Sequence, residues 1–316
     1  MINIDYLYTS IYDKIEDLTP LENSTYFYSH DIEMRTQSVD DIIKKRPPNV
    51  KFVEIKDLGS DIIQDVSTGN THNLRSSKSM YEFIQLYEAA LVYIDITGLE
   101  KRIVAALLNN TIKAINITGI DEVRTVYAEP ASYKIKQFQS EGVFHDLSEK
   151  IDGINPLPGF ASIFPENIDN ILFIALLGFE GGRFMYVLEE VQPPTRNVIP
   201  VVGIPGFRPE YPFIAYWGNR KPLTDSETWR NVKYAAANSL VDVYMLLTKI
   251  LLKNKDVHIK LAPIGTKPHL LGAILFAIKH PKHVELIYDN PKRMSIRTDG
   301  VGKIVECSVS KLLLER

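Results

Sequence analysis

The chain has 316 residues, 45% hydrophobic and 24% charged, a globular composition long enough for two domains. Its net charge of −3, from 36 Lys and Arg against 39 Asp and Glu, argues against a dedicated nucleic-acid partner. A single cysteine, Cys307, excludes an intrachain disulfide; with no signal-peptide pattern and no apolar run near the ~20 residues of a membrane span, the chain reads as soluble and cytoplasmic.

In chain order, residues 1–20 have no counterpart further on and read as an added helix, the start of a first unit that runs to residue 135. Within it "TYFY", "NVKFVEI", "ALVYIDI" and "VRTVY" read as strands, the third ending in a turn at Gly98 and opening a helix. A long helical connection is expected between the second and third. Residues 136–167 carry the Gly, Pro and Asn punctuation of a connector. The second unit spans residues 168–294, with strands at "ILFIALL", "NVIPVVGI", "KLAPI" and "VELIY". Before the third of these, residues 229–254 read as one core helix, with apolar residues in three- and four-residue steps at Val232, Ala235, Ala236, Leu240, Val243, Leu247 and Leu251. Residues 295–316 close the chain as a hairpin turning at Asp299-Gly300.

The two units align. "YIDITGLEKRIVAALL" lies over "KLAPIGTKPHLLGAIL" without a gap, setting Gly98 on Gly265. "VRTVYAEP" over "VELIYDNP" sets Tyr127 on Tyr288 and Pro130 on Pro291, and the first strands set Arg35 on Arg183. One ancestral unit written twice, with strands alternating with helices, predicts an α/β fold: two tandem Rossmann-like units with mainly parallel sheets, plus the C-terminal β-hairpin.

Ligands of open parallel sheets bind beyond the carboxyl ends of the strands, which selects the loops to inspect. In "GFEGGR", Gly178 and Gly181 allow close backbone approach, and Arg183 in a first helical turn favours an anion. The spacing is not G-x-G-x-x-G, so no dinucleotide cofactor is expected, and no other cofactor is implied. In "PIGTKPH", Gly265 makes the turn, Thr266 caps the helix, and Lys267 projects at its mouth toward a phosphate, although the motif is not a Walker loop. Thr97, Gly98 and Lys101 are the candidates at the corresponding turn of the first unit, with Arg35, Tyr127 and Tyr288 at neighbouring strand ends. His269, His30 and Glu180 are acid–base candidates outside any recognisable triad. His280 and His283 have no carboxylate or cysteine pair nearby, so no metal site is expected.

"DITGLEKR" (95–102) and "PIGTKPH" (263–269), in a tandem layout, resemble the CARF domains of CRISPR-associated sensors and, fused in one chain, a SAVED domain. Neither turn carries the full Thr-Gly-Gly-Thr-Lys of the CARF pattern, and no effector domain is fused. The resemblance implies a sensor or regulatory subunit in antiviral defence that binds a nucleotide, of the cyclic-oligonucleotide class, in a cleft between the two units and signals to an effector subunit. Two other readings stay open: a nucleotide-processing hydrolase or transferase, and a non-catalytic interaction subunit that uses "GIPGFRPEYPFIAYWGNRKPL" as its surface.

Overall fold

The computed structural model describes residues 8–30, 33–45, 47–115, 117–133, 148–151, 153–162, 170–254, 257–293 and 298–314. The fold is α/β. The chain divides into two compact units, Met1–Lys134 with Ser295–Arg316, and Ile135–Met294.

The first unit contains β1 (Thr9–Tyr12), β2 (Ser24–Tyr28), a 3-10 turn (Met34–Ser38), α1 (Val39–Lys44), β3 (Lys51–Gly59), β4 (Ile62–Asp65) and β5 (Thr71–Asn73). It continues with α2 (Ser77–Leu86), β6 (Leu91–Asp95), α3 (Lys101–Ala114) and β7 (Glu122–Tyr133). The second has β8 (Ser148–Ile151), β9 (Asn155–Pro156), β10 (Ile171–Leu176), α4 (Gly181–Val191), β11 (Val198–Gly203), α5 (Tyr211–Asp225) and β12 (Lys233–Ala235). Then follow α6 (Leu240–Lys253), β13 (His258–Ala262), α7 (Lys267–Lys279), β14 (Val284–Tyr288) and β15 (Pro291–Arg293). β16 (Thr298–Ser308) and α8 (Val309–Leu314) return to the first unit.

Four parallel strands form the centre of each main sheet, ordered β3-β2-β6-β7 in the first unit and β11-β10-β13-β14 in the second. In chain order within each unit both read second, first, third, fourth, so the aligned strands hold equivalent places. Helices cover such sheets on both faces, which is why β2 and β6 are buried along their whole length. The core of the first unit forms around Tyr26, Tyr93, Val126 and Ile42. That of the second forms around Phe173, Phe184, Val202 and Ile287.

The flanks depart from the sequence reading in four places. The N-terminal segment supplies β1 rather than a helix; β1 pairs antiparallel with β16, and Tyr12 donates to Glu306 at 2.7 Å. Residues 1–7 lie outside the described residues. The helical connection of the first unit begins instead as an antiparallel extension, β3-β4-β5, before α2. Residues 229–254 do not form one helix. β12 pairs with β11, and Ser239 then caps α6 by accepting from Asp242 N, so the helical phase of Val232, Ala235 and Ala236 is overridden by a sheet edge. The C-terminal segment is not a hairpin. A type I′ turn needs positive φ at both central residues, and only Gly300 has it (φ 62°), so Asp299-Gly300 sits within β16 beside a register shift between Val301 and Ile304. β16 pairs with both β1 and β7, giving the segment two ladders where a hairpin would have one. The described parts of residues 136–167 join the second unit, where β9 pairs with β14 and Leu157 and Phe160 are buried.

Candidate functional site

In a sheet ordered this way, the loops after the first and third strands leave toward opposite faces, and the gap between them is the usual ligand crevice. Here the two loops touch. A Cβ on Gly98 would overlap the carbonyl of Ser29, and one on Gly265 would lie 2.5 Å from the carbonyl of Leu177. Ser29 and Leu177 are themselves a matched pair, since 177 − 29 = 148 and 183 − 35 = 148. The two glycines therefore occupy equivalent corners and serve backbone–backbone packing. Gly178 faces the same contact, 3.3 Å from Gly265 Cα by its missing Cβ. Gly181 does something different: it lets α4 meet the carbonyl of Gly218 on α5.

The matched arginines brace these corners. Arg183, in the first turn of α4, donates to both carboxylate oxygens of Asp289 at 2.6 Å and to the carbonyl of Ile264 at 2.8 Å. Its guanidinium lies 5.9 Å from the centre of the Tyr288 ring, with Glu180 at 3.5 Å. Burial works against the charge, but Asp289 outweighs it and holds the arginine above its ordinary pKa. Arg35, in the 3-10 turn after β2, lies 5.5 Å from the Tyr127 ring centre and donates to the carbonyl of Ala128 at 2.8 Å. Its carboxylate partner is Glu33, at 2.6 Å, which also accepts from Thr298 at 2.9 Å. Burial again opposes the charge, and Tyr127 and Glu33 more than offset it. Each unit thus hydrogen-bonds its arginine to a carboxylate from a different position: Asp289 stands where the first unit has Ala128, and Glu33 stands where the second has Gly181.

The remaining expected ligand residues are part of this framework. Thr97 accepts from Ala128 N at 2.9 Å, and its own N–H donates to Asp95 at 2.8 Å. Thr266 caps α7 by accepting from His269 N, as the sequence predicts, and donates to the carbonyl of Ala237 at 2.7 Å. Lys101 and Lys267 open α3 and α7, yet both are buried, so Lys267 does not project into solvent.

The acid–base candidates have separate surroundings. His269 is fully buried with its Nε2 3.0 Å from the carbonyl of Ala236, and Glu180 sits beside Arg183. His30 in the first unit bridges Glu54 through Nδ1 at 2.9 Å and Asp40 through Nε2 at 3.1 Å. Burial lowers its pKa, but the hydrogen bonds and charges of Glu54 and Asp40 raise it further, leaving it above the ordinary value. Beside it the Tyr28 hydroxyl is pushed up to about 12 by burial, Glu54 and Asp40. Asp40 also lines a cavity of about 550 Å³ with Asp13, Glu16, Met34, Gln37 and Lys44, which the strand-end rule did not select. Among the described residues no three His, Cys, Asp or Glu side chains are grouped as a metal site, and no helix is long and apolar enough to cross a membrane.

Asp289, Glu33 and Ile264 are the residues that sequence reasoning missed. The signal was present in the alignment: one half reads Glu33 with Ala128, the other Gly181 with Asp289, a charge moved between two positions that both reach the matched arginine.

No family model matches the chain, and no curated protein matches it. Among solved structures, a GDP-L-fucose synthetase from Naegleria fowleri bound to NADP aligns at 12% identity over 90% of this chain and 86% of that one, with a TM-score of 0.22. A second structure of GDP-L-fucose synthetase from Naegleria fowleri aligns at 10% identity over 92% and 89%, with a TM-score of 0.23. The functional reading therefore rests on this chain's own residues.

Proposed function

We propose that the protein is a nucleotide-binding sensor or regulatory subunit, whose ligand, a cyclic oligonucleotide or related nucleotide, is met by the strand-end loops of its Rossmann-like units. The observation that supports this is the repetition of one strand-end arrangement, with an arginine over a tyrosine and tied to the strand end, where open α/β sheets take ligands. Because each arginine already has a carboxylate, its part is to hold the loops, and the ligand is met by the groups those loops present. The resemblance of "DITGLEKR" and "PIGTKPH" to CARF and SAVED sensors supplies the ligand class.

A thermal-shift panel of mononucleotides, dinucleotides and cyclic oligonucleotides, with the ligand assayed by chromatography afterwards, tests this reading. Binding to the folded state alone raises stability by about 2.7 kcal/mol at a hundredfold excess over Kd. The expected result is a saturable rise in Tm with the nucleotide recovered intact. A flat Tm across the panel would refute nucleotide binding, and consumption of the ligand would make the protein an enzyme.

A further inference from the structure

His30, in the loop that leaves β2, lies between two carboxylates. Its Nδ1 is 2.9 Å from Glu54 on β3, and its Nε2 is 3.1 Å from Asp40 on α1. All three side chains are partly exposed, and the ring stands edge-on to that of Tyr28, with centres 5.3 Å apart. The frame that the two units share does not require this cluster. At the offset that sets Arg35 on Arg183, His30 falls on Gly178 and Asp40 on Leu188, since 178 − 30 = 148 and 188 − 40 = 148. The ladder of the first unit sets Tyr28 beside Glu54, whereas that of the second sets Leu176, the counterpart of Tyr28, beside Val201. The second unit thus builds the same corner from a glycine, a leucine and a valine. The cluster is an addition to the first unit.

A neutral imidazole has one N–H, and its other nitrogen can only accept. Two carboxylates, one at each nitrogen, are therefore satisfied together only by the imidazolium, which donates in both directions. When the proton leaves, one carboxylate meets a lone pair at hydrogen-bond distance, and that side of the bridge turns repulsive. Among the described residues, the titratable groups facing the ring are Asp40 from α1, Glu54 from β3 and Tyr28 from β2. Tyr28, pushed up to about 12, stays neutral across the range in which histidine titrates. Nearby charges are committed elsewhere, Lys44 to Asp41 at 3.0 Å and Glu33 to Arg35 at 2.6 Å. The bridged element is weak by itself: α1 has six residues, and of these only Val39 and Ile42 are buried. We propose that His30 is a proton-operated clamp, which fastens α1 and the 3-10 turn before it to β3 when protonated and lets them open when neutral, in the first unit alone. Asp40 also lines the cavity of about 550 Å³ with Met34 and Gln37, so release of the clamp frees one wall of that cavity.

Amide hydrogen exchange of the full chain, from about pH 5.5 to about pH 8.5 and corrected for the intrinsic rise of exchange with pH, tests the proposal, with the His30 ring titrated by NMR alongside. Each unit by which the clamp raises the pKa of the ring corresponds to about tenfold in the opening equilibrium. The amides of the 3-10 turn and α1 should lose protection as pH rises, by the factor that the measured ring pKa sets, while those of α4 keep theirs. His30→Gln should abolish the step, and Asp40→Asn should shrink it while moving the ring back toward about 6.5. Protection of α1 that does not change with pH, a step of equal size in α4, or a step that survives His30→Gln overturns the proposal.

Discussion

At the scale of single residues, the ionised groups nearest the strand ends are structural. Arg183 is expected from its helix position to favour an anion, and it has one, but the anion is Asp289. Removing one member of a buried pair strands the other charge, so Asp289→Asn should lower the stability of the second unit by about 3–5 kcal/mol, read by denaturant unfolding. Arg183→Ala would make a poor test of ligand binding for the same reason. His30 differs because it is partly exposed and its pKa is raised by Glu54 and Asp40. Its folded pKa stands above the unfolded value of about 6.5. The stabilisation by Glu54 and Asp40 is therefore complete below about pH 6.5 and is lost as pH rises through the folded value. Tm measured against pH should carry a downward step above pH 6.5 in the parent chain, and His30→Gln should remove that step and leave the rest of the profile in place.

At the scale of elements, the central strands were legible and the flanks were not. "ALVYIDI" and "ILFIALL" announce strands buried on both faces because no polar residue breaks their apolar run before the carboxyl end. The gapless match of Gly98 with Gly265 carries real geometry, since both corners must let two backbones touch. β12 left no such trace: three residues are too short for a period of two, and its pairing with β11 is a tertiary fact. Asp299-Gly300 has the residues of a hairpin turn, but β7 and β1 offered the segment a ladder on each side. The sequence reading ran one helix through Ser239, whose side chain instead starts α6 by accepting from Asp242 N. Ser239→Ala should cost about 1 kcal/mol, a small fall in Tm with the circular dichroism of the folded protein retained. At Gly98, alanine should cost about 1–3 kcal/mol or more, because the added methyl meets a carbonyl that belongs to the backbone of a neighbouring strand end.

At the scale of the whole molecule, two units share one strand order, one pair of glycine corners and one arginine brace, with the neutralising carboxylate placed differently in each. Sequence alone showed the paired glycines and the alternation of strands and helices; the shared strand order came from the structure. The brace was legible only through the alignment of the two halves, because Glu33 precedes Arg35 by only two residues whereas Asp289 lies 289 − 183 = 106 residues beyond Arg183. A duplicated unit that keeps its charge balance while moving the acid makes a reciprocal demand: the first unit should accept the arrangement of the second. Denaturant unfolding of Glu33→Gln, Ala128→Asp and the double variant measures this directly. The account has Glu33→Gln losing about 3–5 kcal/mol through an uncompensated Arg35, and the double variant regaining more than half of that loss, a coupling that independent sites do not show. If the two losses simply add, positions 128 and 289 are not equivalent corners, and the description of two copies of one unit is wrong.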